Sequence, residues 1–73
     1  MDNNYENLAN AIVLQAVKDY RKALRTLSRN PYNRSAQYEC RSIEQFFRSG
    51  WFGVLTRLDP EVLITKLKAE VVA

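Results

Sequence analysis

The chain has 73 residues, a formal net charge of +3, no histidine and a single cysteine. That length allows one domain at most. A hydrophobic share of 47% excludes a disordered chain, and no apolar run approaches the ~20 residues of a membrane helix. With no histidine, the commonest general base and metal ligand is missing, and Cys40 alone forms no internal disulfide.

The opening MDNNYEN is polar and lacks the basic-then-apolar pattern of a signal peptide. A secreted chain this short usually carries several cysteines as staples, so the expected location is the cytoplasm. Without disulfide or metal the core is marginal for this size. Self-association is the remaining common remedy, and a homo-oligomer, at least a dimer, is expected. Charge is uneven: residues 1–34 hold six basic and three acidic side chains, whereas residues 59–73 hold two basic and three acidic ones. The positive field belongs to the first half.

Residues 4–29 predict one long helix. Tyr5, Leu8, Ala9, Ile12, Val13, Ala16, Tyr20, Ala23, Leu24 and Leu27 recur at three- and four-residue steps. The opposite side carries Lys18, Lys22, Arg25 and Arg29, with Arg21 beside them. Leu14 lies within that polar side and is a candidate interface residue. Asn30-Pro31-Tyr32-Asn33 stops the helix, because proline disfavours helical geometry in the residue before it and donates no N–H.

A second helix is expected over 35–48, with Ser35 as its N-cap and Ala36, Cys40, Ile43 and Phe47 as its apolar seam. Tyr38 and Phe46 point away from that seam and join Leu14 as interface candidates. Ser49-Gly50 breaks the helix, and Ser49 caps a short third one over 51–58. The last start is the clearest: Asp59-Pro60-Glu61 supplies a capping carboxylate, a proline at the first helical position and an acid in the first turn. Leu63, Ile64, Leu67 and Val71 then form the buried stripe of a helix over 60–71. No stretch alternates as a strand would, so the fold class is all-α, a compact bundle in one domain.

Ile43 to Leu58 is the expected hub, since it holds Phe46, Phe47, Trp51 and Phe52. Large aromatics supply much of a small core's burial energy. If Trp51 is core, Trp51→Ala costs about 3–5 kcal/mol.

Few residues point to chemistry. Cys40 on the apolar seam reads as an inert thiol, the acids fall singly, and neither phosphate-binding glycine motif is present. A non-enzymatic protein without a cofactor is expected. The basic stripe has two readings: a solvated polar face, or a surface tracking phosphates or an acidic partner. The segment Phe46 to Phe52 also has two. It is a corner where helices meet, or an anion site in which Arg48, Ser49 and backbone N–H groups hold a phosphate while Trp51 and Tyr20 stack on a base.

The strings ANAIVLQAVKDYRKALR (9–25) and FFRSGWFGVLTRLDPEVLI (46–64), with the closing helix to Val71, resemble a group of short proteins encoded by phages and integrative elements of Gram-positive bacteria. The resemblance covers most of the chain and departs at Gly50 and Pro60, where relatives tend to carry an acidic residue and a glycine. It implies a setting rather than a mechanism. Small proteins of such elements often act by sequestering a molecule or occupying a surface. The leading expectation is therefore counter-defence, by binding a nucleotide immune signal or by blocking a nucleic-acid-handling host defence protein. One alternative is a nucleic-acid-binding accessory protein that uses the first helix; another is a structural or scaffold interaction subunit.

Overall fold

An unbroken apolar stripe from Tyr5 to Leu27 gives the longest element. In a computed structural model that describes residues 3–72, with side chains from 4 to 71, α1 runs over Asn3–Arg29. It is followed by α2 (Arg34–Phe47), α3 (Gly50–Leu55) and α4 (Pro60–Val72), and no strand occurs among the described residues. At 1.5 Å per residue the 27 residues of α1 cover ~40 Å. The molecule measures 46 × 21 × 19 Å. Its radius of gyration, 13.2 Å, exceeds the roughly 11 Å of a compact chain of this length. One end of α1 therefore overhangs. Tyr5 and Leu8 are 59% and 62% exposed there, so the apolar stripe is covered only from about Ala9 onward.

The turn closes as its residues dictate. Asn30 N–H donates to the Thr26 carbonyl at 2.8 Å, and the Asn30 side chain accepts from Tyr32 N–H. The N-cap of α2 is Asn33 rather than Ser35: its Oδ1 accepts from Ala36 N–H at 2.9 Å. Asn33 is extended at φ −69°, ψ 106°, whereas Ser35 already lies in the first helical turn, where a capping geometry is closed to it.

The break after α2 is a serine effect. Ser49 is extended at φ −79°, ψ 157°; its hydroxyl donates to the Phe46 carbonyl at 2.7 Å and accepts from Phe52 N–H at 3.2 Å. Gly50 has no positive φ, and a Cβ placed there would meet nothing within 4 Å. α3 ends at Leu55, three residues short of expectation, because Thr56 turns extended at φ −156°, ψ 162°. Asp59 caps α4 as expected, accepting from Glu61 N–H at 2.9 Å.

Shared neighbours fix the directions. The α1 segment from Asp19 to Thr26 faces Asn33 and Ala36, while Ile12 and Ala16 face Ile43 and Phe46, so α2 runs antiparallel to α1. Glu70 and Val71 lie beside Arg21 and Ser28, while Glu61 at the start of α4 pairs with Arg48 after α2, whose end lies by the first half of α1, so α4 runs parallel to α1. The core sits where the helices meet: Val13, Val17, Tyr20 and Ala23 from α1, Cys40 and Phe47 from α2, Phe52 from α3, Ile64 and Leu67 from α4. Rings hold its centre. Phe47 lies 5.6 Å from Tyr20 and 5.3 Å from Phe52, both edge-on, a geometry in which a ring's positive edge meets the negative face of its neighbour.

The aromatic hub is present with one change of anchor. Trp51 is 62% exposed, and Phe52, 1% exposed, fills the core in its place. α3 begins at Gly50, and successive residues of a helix point about 100° apart, so the phase that buries Phe52 turns Trp51 outward. Leu58 is also exposed, because the chain has left the helix before reaching it. Phe46, expected to point away, is half-buried and packs edge-on against Phe52 at 5.7 Å. Val17 is a core residue that lay outside the predicted stripe.

Tyr20 is fully buried and its hydroxyl donates to Glu44 Oε2 at 2.5 Å. Burial first, then the Glu44 carboxylate, raise its pKa well above the ordinary 10.0. A raised folded-state pKa means that this contribution to stability is complete below pH 10 and is lost as pH rises beyond it. A spectrophotometric titration is expected to find one tyrosine that ionises only together with the loss of helical circular dichroism. Complete ionisation in a still-helical chain would refute the buried pair.

Candidate functional site: a basic face on the long helix

Charges placed on a helix at four- and three-residue steps share one face. Lys18, Lys22, Arg25 and Arg29 do so on α1, on the side away from the core, and all four are exposed. The row is ~16 Å long from the helical rise. None of the ion pairs among the described residues involves any of them. Leu14 lies one turn before Lys18 on the same face and is 58% exposed, so the row opens on an apolar contact.

Arg21 and Arg48 stand apart from this row, because tertiary partners neutralise them. Arg21 Nε and Nη2 donate to the two carboxylate oxygens of Glu70 at 2.8 and 3.1 Å. Arg48 Nε and Nη2 donate to those of Glu61 at 2.6 and 3.0 Å, and Arg48 also sits 3.8 Å from Glu44. The direct hydrogen bonds from the guanidinium groups hold the Glu61 and Glu70 carboxyls below the usual carboxylate value and raise both arginines. Glu44 gathers three partners: the Tyr20 hydroxyl, Arg48, and Lys68 Nζ at 3.7 Å. These carboxylates serve as clasps between helices. Apart from the local Arg48–Glu44 contact, these pairings join positions 13 to 49 residues apart and left no sign in the sequence.

The proposed phosphate site between Phe46 and Phe52 loses most of its parts. Tyr20 is core and presents no ring to a ligand. The Ser49 hydroxyl is engaged in both directions by the backbone, Arg48 lies between two carboxylates, and α3 has six residues, too few for an appreciable helix dipole. Trp51 alone is open to a partner. Cys40 is buried, and burial raises its thiol pKa, which fits an inert packing role.

Tyr38 is 74% exposed. Leu8, Ile12, Val54 and Val62 are further exposed apolar residues that the interface reading missed. The signal for Leu8 was available: α1 is longer than the bundle that covers it. Among the described residues no helix is long and apolar enough to cross a membrane. Compared with known protein families, curated proteins and solved structures, the chain matches none.

Proposed function

We propose that this chain is a non-enzymatic binding protein that lays the basic face of α1 along an extended, phosphate-bearing surface. The observation that carries the reading is the alignment, on one face of one helix, of four cations that no ion pair among the described residues involves. Arg34, Arg41, Arg57 and Lys66 are also exposed and outside those ion pairs, but lie on α2, after α3 and on α4. Arg21 and Arg48 are tied to carboxylates, whereas Lys18, Lys22, Arg25 and Arg29 stay exposed in one row and outside every ion pair among the described residues. A row ~16 Å long on a convex helix suits a nucleic-acid backbone better than an enclosed nucleotide. It would touch phosphates without reading bases, which is sequence-independent binding. Taken with the resemblance of residues 9–25 and 46–64 to small phage and mobile-element proteins, the role is cytoplasmic counter-defence, masking nucleic acid or the site of a host protein that handles it.

Counterion release tests this directly. Four phosphate contacts give log Kobs against log salt a slope of about −3.6 on duplex DNA. Fluorescence anisotropy with a labelled duplex is expected to return a slope near that value. Binding that ignores salt would sink the reading.

A second reading is supported by the open Trp51 and the uncovered Tyr5 and Leu8. In it, copies of the chain associate through these apolar residues and hold a nucleotide immune signal, or a host protein, between them. Native mass spectrometry separates the two: a stoichiometric nucleotide on an oligomer favours the second reading.

A further inference from the structure

One cleft next to the basic row does more than present charge. It runs between the last turns of α1 and the end of α4 and is lined by Arg21, Arg25, Ser28, Arg29, Glu70 and Val71. Arg21, Arg25 and Arg29 follow at four-residue steps, so three guanidinium groups border it against the single carboxylate of Glu70. A basic residue in the final turn is expected from the helix dipole, which is negative at that end. Arg29 has that explanation. Arg21 lies two turns upstream and does not.

Resting on the reading of α1 as an anion-binding face, we propose that this cleft is a seat for one phosphoryl group and that Glu70 fills it in the free protein. Carboxylate and phosphate take the same bidentate fork from arginine, and Glu70 already occupies both arms of Arg21, at 2.8 and 3.1 Å. Arg25 lies close enough to help hold the Glu70 carboxyl ionised. The arrangement is cheap to open. Both side chains of the pair are partly exposed, 39% and 49%, and exposed ion pairs contribute little. A phosphate carries more oxygens than Glu70 and can engage Arg25 and Arg29 as well as Arg21. On arrival it releases Glu70 to solvent, so Glu70 acts as an internal competitor that weakens non-productive anion binding.

The test uses the full chain with two probes, a fluorescein-labelled single-stranded oligonucleotide and inorganic pyrophosphate, and compares E70Q with E61Q. Each variant removes one negative charge and one bidentate carboxylate from an arginine, Arg48 keeping Glu44 at 3.8 Å, so overall charge is matched. E70Q is expected to bind about fivefold more tightly than E61Q, the exposed pair being worth at most about that factor, and the gain should vanish in R21A/E70Q. Thermal melts followed by circular dichroism identify a variant that has lost its fold; for E70Q, the R21K single variant then replaces it and should bind more weakly than wild type. A gain on the oligonucleotide assigns the seat to a backbone diester, and a gain on pyrophosphate alone assigns it to a terminal phosphate. Equal behaviour of E70Q and E61Q overturns the seat. If K18E/K22E still abolishes oligonucleotide binding in that case, the basic face stands without the Glu70 occupant. If wild type binds neither probe, the face and the seat fall together.

Discussion

Phe47→Ala is expected to leave the chain largely unfolded at physiological temperature, while Trp51→Ala leaves its melting curve nearly unchanged. Phe47 is fully buried and touches three other rings, those of Tyr20, Phe46 and Phe52. Truncating such a side chain removes its transfer energy and leaves a cavity, about 3–5 kcal/mol together. A small domain without disulfide or metal has roughly 5 kcal/mol in all. Trp51 is the larger side chain but is 62% exposed, and surface truncations stay within about 0.5 kcal/mol. Melting of both variants by circular dichroism, at several protein concentrations, decides the matter. A cooperative, native-like transition for Phe47→Ala would refute the ring cluster as the centre of stability. A large loss for Trp51→Ala that depends on concentration would place Trp51 in an interface between copies.

The charge reversal K22E/R25E is expected to weaken binding to duplex DNA by on the order of a hundredfold at moderate salt, since two phosphate contacts become two repulsions. The remaining salt slope should fall to about half its wild-type value, as only two attractive contacts persist. Both side chains are exposed and outside the ion pairs of the fold, so the variant should keep its helical spectrum and its melting temperature. That separation makes the measurement informative, because a loss of binding cannot be assigned to a loss of fold. Unchanged binding would remove the basic face of α1 as the binding surface and direct attention to the apolar residues Leu14, Tyr38 and Trp51. Variants at those positions, Leu14→Asp first, would then be expected to carry the effect.

The helices themselves were legible because their signals are local. The Tyr5 to Leu27 periodicity, the Asn30-Pro31 stop and the Asp59-Pro60-Glu61 start each act within a few residues, and the observed boundaries follow them closely. Where local signals competed, the outcome turned on one residue. Asn33 took the cap from Ser35, and Thr56 ended α3 before Leu58. The basic row was legible for the same reason, since its face is set by helical spacing alone.

Partnership was not legible. Arg21 and Lys22 are neighbours with similar side chains, yet Arg21 is clasped by Glu70 and Lys22 lies in no ion pair among the described residues. Nothing within their stretch of chain distinguishes them. Tyr20 and Trp51 reverse the ranking that size suggests: the tyrosine is buried and hydrogen-bonded to Glu44, and the tryptophan faces outward. Sequence by itself determined the all-α class, the four helices and the face of α1 that carries the charge, because these depend on residues three or four apart. Only the tertiary structure decided which cations are neutralised, which aromatic rings meet and how far α1 overhangs its bundle, because those follow from the docking of α2, α3 and α4 against α1, which brings together groups up to 49 residues apart.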